Sequence, residues 1–208
     1  MADSYRIEIG EQWSLEDLYV FARTYEQVYF LAYSLLPDLP HDVSERVTLA
    51  YAAFPWRGGY SAVDFYDRLK YAIPRQEWPN LGAISYGSPG FLELLLVRAV
   101  ASVVSGLVKD IAGSLREMNA TYNEIVSDLR KRKLLRLDVR NKEIELSRAE
   151  LHLVEEQAEV AARFLGFEGH EELTGRTGNP YITLKILLSF YRRLRTLAEF
   201  SKEGKADL

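Results

Sequence analysis

The most conspicuous chemically active side chains form a basic run, RKRKLLRLDVR, at residues 130–140. Clustered guanidinium and ammonium groups attract phosphates, so the run is a candidate binding segment for nucleic acid or anionic lipid. Two other interpretations stay open: a solvated helix face, and a surface that pairs with the acidic residues between 143 and 159 of a second copy. The candidate anion-binding residues are Arg130, Lys131, Arg132, Lys133, Arg136 and Arg140.

No serine or glycine pattern in the sequence matches a catalytic or cofactor-binding motif. Ser88 in YGSPG resembles a nucleophile elbow only in outline, because that motif places glycines two residues before and two residues after its serine. Ser88 followed by Pro89 instead predicts a helix cap with proline at the first helical position. WRGGY lacks the lysine and the helix start of a phosphate-binding loop. We therefore expect no catalytic residue and no cofactor, and the chain is predicted not to be an enzyme.

Metal ligands are equally sparse in the sequence. His41, His152 and His170 share no close spacing, so no metal site is expected. The chain contains no cysteine, which excludes disulfides and thiolate chemistry and fits a reducing cytoplasm.

Length and charge set further bounds on function. The 208 residues suffice for one full-sized core, and a hydrophobic content of 48% is ordinary for a folded protein. A net charge of −4 gives no global attraction to nucleic acid, which makes a nucleic-acid partner less favoured than a protein partner. The start, MADSYRIEIGEQWS, lacks the order of a signal peptide, so a cytoplasmic location is expected.

The first 88 residues predict an α+β body rich in aromatic side chains. Tyr5–Ile9 and Leu81–Tyr86 are predicted strands, residues 46–56 favour a further strand over a short helix, and Ser61–Ala72 is a predicted helix. Ser14 and Asp17 form an Asp version of the capping box before a helix from Leu15 to Leu35. Its predicted buried stripe consists of Leu15, Leu18, Ala22, Tyr25, Tyr29 and Ala32.

Residues 89–208 predict a helical extension that packs on the body or projects from it. Two coiled-coil-like seams suggest either a hairpin or one continuous rod over residues 115–165. Asn179 and Pro180 start the last helix, and the tail KEGKADL is expected to be frayed. The seam residues, which are the predicted interface of a homo-oligomer, are Leu115, Met118, Tyr122, Ile125, Leu129, Leu151, Val154, Ala158, Ala161 and Leu165.

Residues 91–108 are almost entirely apolar and are predicted to form one helix. A membrane span needs about 20 apolar residues, and Glu93 and Arg98 interrupt this run. Burial by the protein itself is the preferred interpretation, with burial in a homo-oligomer interface or at a membrane surface as alternatives.

Three segments, PWRGGYSAVDFYDRL, ISYGSPGFLEL and ITLKILLSFYRRLRTLAEF, resemble in type and order those of a group of uncharacterised bacterial proteins. The resemblance spans the chain from Pro55 onward. It implies a bacterial cytosolic origin and indicates no activity, catalytic residue or fold.

The sequence therefore predicts an α+β, mainly α protein, with a small N-terminal sheet-and-helix body followed by long C-terminal helices as a hairpin or coiled-coil-like arm. The expected function is a non-enzymatic interaction or assembly module that self-associates through those helices. The alternatives are a membrane-active effector that exposes residues 91–108 conditionally, and a nucleic-acid-binding adaptor that uses residues 130–140.

Overall fold

The computed structural model describes residues 3–10, 13–52, 58–87, 90–134 and 146–208. Within these ranges the chain forms a small antiparallel sheet and seven α-helices, so the predicted α+β, mainly α class is confirmed. The strands are β1 (Asp3–Ile9), β2 (Asn80–Ser85), β3 (Gly90–Leu96) and β4 (Ala206–Asp207). The helices are α1 (Leu15–Ser34), α2 (His41–Ala52), α3 (Gly58–Ala72), α4 (Arg98–Lys131), α5 (Arg148–Phe164), α6 (Glu171–Thr177) and α7 (Pro180–Lys202), and a 3₁₀ turn at Arg75–Glu77 precedes β2.

The sheet has the strand order β2-β3-β1-β4, and all neighbouring strands are antiparallel. Ile7 of β1 lies opposite Leu92 of β3, and both side chains are buried against the helices. Because successive side chains point to opposite faces, the next pair, Arg6 and Glu93, meets on the outer face at 3.8 Å. The predicted domain boundary between residues 88 and 89 falls between the paired strands β2 and β3.

The strands predicted at Tyr5–Ile9 and Leu81–Tyr86 are confirmed as β1 and β2, whereas the strand predicted over residues 46–56 is wrong. Residues up to Ala52 belong to α2, and residues 53–57 lie outside the described ranges. The spacing of the buried residues explains why this segment is a helix: Val43, Val47 and Tyr51 recur every fourth residue, and all three are buried.

The apolar run over residues 91–108 divides into a strand and a helix, so its prediction as one helix is wrong. β3 takes the residues up to Leu96, and α4 begins at Arg98, well after the predicted start. Val100 and Val104 of α4 are fully buried within the chain. Ser88 and Pro89, the predicted cap, lie outside the described residues. None of the described helices combines the length and the apolar character that crossing a membrane requires.

The long C-terminal helix α7 is the centre of the helical layer and packs against α1, α4 and α5. It starts as predicted, since the Asn179 side chain accepts a hydrogen bond from the N–H of Tyr181 at 2.9 Å. α4 ends at Lys131, and α5 begins behind a capping box at Ser147, which excludes one rod over residues 115–165. The link at residues 135–145 lies outside the described ranges.

The C-terminal tail is ordered by contacts with the sheet and α1, so the prediction that it frays is wrong. Ala206 lies opposite Ile9 in the sheet, and the Leu208 side chain is buried. The carbonyl of Lys205 accepts hydrogen bonds from the Trp13 indole and the Gly10 N–H, both at 2.9 Å. These backbone and indole contacts hold the tail across the start of α1.

Candidate functional site

An apolar groove lies between the N-terminal half of α1 and the strands β2 and β3. It consists of two adjoining cavities of about 440 and about 270 Å³, and Leu18 lines both. We call this surface the α1-β2 groove. Its apolar lining includes Leu15, Leu18, Ala22 and Tyr25 of α1, Leu81 and Ile84 of β2, Tyr86 after β2, and Leu92 and Leu94 of β3.

The helix side of the groove departs from the predicted buried stripe. The C-terminal half of that stripe, from Tyr25 to Ala32, is buried as expected. Leu15, however, is 87% exposed, and Ala22 is also exposed. The prediction is therefore wrong for Leu15 and Ala22, which border an open groove, whereas Leu18 of the same stripe is partly buried against the core.

The strand side of the groove depends on a β-bulge in β2. Leu81 pairs with Leu94, Ile84 pairs with Leu92, and the register shifts by one residue between Leu81 and Ala83. Residues three apart in a regular strand point to opposite faces, so the extra residue is what brings Leu81 and Ile84 to the same side. A Cβ atom at Gly82 would lie 3.2 Å from the Leu95 side chain, and glycine fits this crowded position.

The free edge of the sheet beside the groove carries exposed apolar side chains. β2 is the outermost strand on this side, and its outer backbone groups have no strand partner within the described ranges. Its sequence, NLGAIS, contains no charged residue, although charges are a common means by which proteins block strand addition at an edge. Leu81 is 60% and Ile84 48% exposed. The edge and the groove together are suited to receive an added strand.

The Tyr25 side chain supplies an uncharged, apolar part of the groove lining. Tyr25 is buried, and among the described residues its hydroxyl has no hydrogen-bond partner. Burial raises the pKa of Tyr25 well above its ordinary value of 10, and the neighbouring Tyr5 and Tyr29 raise it further. The hydroxyl therefore stays protonated at neutral pH and adds no charge to the groove.

Charged side chains mark the two ends of the groove. Arg23 lines it beside Leu81 and donates a hydrogen bond to the Tyr19 hydroxyl at 2.7 Å. Glu26 at the same end is neutralised by Lys70, with Nζ 2.6 Å from its carboxylate. Glu16 lines neither cavity and is exposed next to Leu15, beside the opposite end. An exposed acidic side chain thus lies beside the Leu15 end of the groove, and Arg23 lines the other end.

The predicted seam residues of the C-terminal helices lie largely inside the chain. Leu115, Met118 and Tyr122 are partly buried, and the Tyr122 ring packs 5.1 Å from Tyr191 of α7. Leu151 is 38% exposed. Contacts within one chain therefore account for most of this spacing, and contacts of the seams with a second copy stay a prediction. The seam residues that are buried are Ile125, Leu129, Val154, Ala158, Ala161 and Leu165.

The described part of the basic run lies at the end of α4. Arg130, Lys131, Arg132 and Lys133 are exposed, and Lys131 forms an ion pair with Asp128 at 3.1 Å. Exposure alone does not test anion binding, so the role of these four side chains stays a prediction. Arg136 and Arg140 lie outside the described residues.

One histidine joins two carboxylates near the start of α6. The ligand atoms of Glu159, His170 and Glu171 lie within 4.8 Å of one another, a proximity that the sequence spacing does not indicate. Glu159 already forms an ion pair with Arg163 at 2.5 Å and accepts a hydrogen bond from the His170 backbone N–H at 3.3 Å. These contacts lower the pKa of Glu159 and give its carboxylate a structural role between α5 and α6.

Sequence reasoning missed the strand side of the groove. Leu81 and Ile84 were expected only as members of a strand, and Tyr19 was outside the predicted stripe. The available signal was the absence of charge from NLGAIS together with apolar residues on more than one face of early α1. Comparisons with protein-family models, curated proteins and solved structures find no match to the chain.

Proposed function

We propose that this chain is a non-enzymatic interaction module and that the α1-β2 groove is its contact surface. The observation that carries the proposal is the coincidence of an uncharged free strand edge with exposed leucine and isoleucine side chains in an open apolar groove. Strand addition supplies main-chain hydrogen bonds, and the adjoining pockets select side chains of the added segment.

The groove supports this role better than the C-terminal seams do. Most seam residues are buried under α7 of the same chain, so few of their side chains are free to meet a partner. The groove residues Leu15, Leu81 and Ile84 are instead exposed and lie on one continuous surface. The proposal keeps the predicted self-association. It assigns the contact surface to α1 and β2, whereas the sequence predicted one on α4 and α5.

Site-specific photo-crosslinking tests the contact surface directly. A benzoyl-phenylalanine placed at Tyr19, beside the groove, is compared with one at Leu49 on α2; the two side chains are 60% and 61% exposed. We expect irradiation in cells to give a discrete adduct from position 19 and none from position 49. Mass spectrometry of the joined peptides then identifies the attached protein.

A second variant ties any adduct to the groove itself. Ile84→Asp places a charge on the apolar surface and should abolish the adduct from position 19 without unfolding the chain, because Ile84 is half exposed. Equal adducts from positions 19 and 49, or an adduct that survives Ile84→Asp, would overturn the proposal.

A further inference from the structure

The geometry points to a second copy of this chain as the occupant of the groove, with two β2 edges paired antiparallel about a two-fold axis. This inference rests on the proposed function and deepens it by naming the partner. It would join the two four-stranded sheets into one continuous eight-stranded sheet. Three properties carry the inference: the opposite directions of α1 and β2, the absence of charged residues from β2, and the charged residues on α1.

The first property is that α1 and β2 run in opposite directions along the groove. Ile84 and Tyr86, at the end of β2, line the same cavity as Leu15 at the start of α1. Leu81, near the start of β2, lines the other cavity together with Ala22 and Arg23. A two-fold axis at the middle of β2 therefore brings the Leu15 end of one copy beside the Arg23 end of the other.

The second property is that β2 is suited to pair with itself. An isologous interface uses the same patch on both subunits, so a strand that carries one sign of charge would repel its symmetry mate. NLGAIS carries none. Antiparallel pairing would place Leu81 of each copy near Ile84 of the other on the groove side, where all four side chains lose solvent contact.

The third property is the arrangement of charge on α1. Glu16 and Arg23 are seven residues apart, which places them two turns apart on the same face of the helix, with Tyr19 between them. Because the two-fold axis reverses this order, Glu16 of each copy faces Arg23 of the other. A partner of unrelated sequence would not need this internal complementarity, which is why a second copy is the occupant we favour.

Charge reversal with rescue tests this arrangement. Light scattering after size exclusion and sedimentation equilibrium across protein concentration should give a species of twice the 23.8 kDa chain mass. Glu16→Arg and Arg23→Glu each create two like-charge contacts per dimer, so each should raise the dissociation constant about tenfold. The double variant restores opposite charges and should return the constant to within about threefold of the original value. Glu155→Arg, an exposed reversal on α5, is the control and should change nothing.

The outcomes separate this inference from the proposed function. Self-pairing is overturned if the chain stays monomeric at all concentrations. It is also overturned if neither charge reversal changes the dissociation constant of the dimer, or if the double variant does not restore that constant. If that chain still gives a groove-specific adduct with another protein in the photo-crosslinking experiment, the groove remains the contact surface and the partner is a different protein. Ile84→Asp provides a second check, since it should leave the chain monomeric and folded.

Discussion

The hydroxyl of Tyr29 joins α1 to the junction between β3 and α4 through the backbone of Val97. It accepts a hydrogen bond from the Val97 N–H at 3.1 Å and donates one to the carbonyl of Glu77 at 2.7 Å. Its burial raises the pKa of Tyr29 well above the ordinary value of 10, so the hydroxyl remains a donor at all physiological pH values. One side chain thus fixes α1, which forms the helix side of the groove, against the end of β3 and the turn that precedes β2.

Tyr29→Phe should lower the free energy of unfolding by about 1–3 kcal/mol, because the Val97 N–H and the Glu77 carbonyl both lose a buried partner. Urea unfolding followed by circular dichroism measures the change. Tyr71→Phe, which removes the hydroxyl of an exposed tyrosine on α3, should change it by less than about 0.5 kcal/mol. Equal effects from the two variants would show that the Tyr29 hydroxyl has no special role.

Arg193 of α7 is predicted to stabilise the packing of α7 against α1 and α3. Its guanidinium donates to Gln27 at 2.6 Å and to Ser189 at 2.7 Å, and it lies 4.0 Å from the centre of the Tyr66 ring. Arg193→Met leaves the buried Gln27 and Ser189 groups unsatisfied and should cost about 2–3 kcal/mol. Arg192→Met, at the adjacent exposed position, is the matched control and should be close to neutral. Similar melting temperatures for the two variants would contradict this assignment.

The elements with local signals were predicted correctly from the sequence. The Ser14 and Asp17 capping box closes with hydrogen bonds of 3.0 and 2.9 Å, and Asn179 caps α7. These signals involve residues within three positions of one another, so their physics is contained in the local sequence. The class of the fold followed from the predicted strands of the first half and the helical spacing of the second.

The errors arose where tertiary contacts decide the structure. Leu94, Leu95 and Leu96 form a continuous apolar run that fits a buried strand or a buried helix equally well, and pairing with β1 selects the strand. Leu15 has helical spacing, but burial also requires an element packed over the side chain, and Leu15 instead lines an open groove. The groove depends on the register of β2 against β3, including the bulge at Gly82, which one strand's sequence does not specify.

The ion pair between Asp17 and Lys205 should make stability sensitive to acid. The Ser14 backbone N–H, Lys205 and the Ser14 hydroxyl donate hydrogen bonds to Asp17 and lower its pKa from 3.8 to about 2. A carboxyl whose pKa is lowered by folding contributes stability above its unfolded pKa and loses it as the pH falls through the folded value. The contribution of Asp17 is therefore expected to be complete above about pH 4 and lost between pH 4 and pH 2.

Asp17→Asn isolates this contribution. Between pH 4 and pH 2, the urea midpoint of the original chain should fall more than that of the variant, which has no carboxyl to protonate. Urea titrations at half-unit pH steps measure the difference. Parallel pH profiles would mean that the Asp17 pKa is the same in the folded and unfolded states.

The C-terminal seams should prove more important for folding than for assembly. Leu165→Ala opens a cavity among the side chains of the core and should cost about 2–5 kcal/mol. Leu151→Ala, at an exposed position of the same seam, should cost less than about 1 kcal/mol and leave the dimer dissociation constant unchanged. A Leu151→Ala chain that is stable but monomeric would show that the dimer interface lies on these helices.

The central claim is that a second copy covers the α1-β2 groove, and amide hydrogen exchange at low and high protein concentration tests it most directly. At the higher concentration, peptides covering residues 15–25 and 80–86 should exchange more slowly, because the outer N–H groups of β2 acquire hydrogen-bond partners. Residues 148–164 of α5 should show no change. Slower exchange confined to α4 and α5, or exchange that is independent of concentration throughout, would contradict the account.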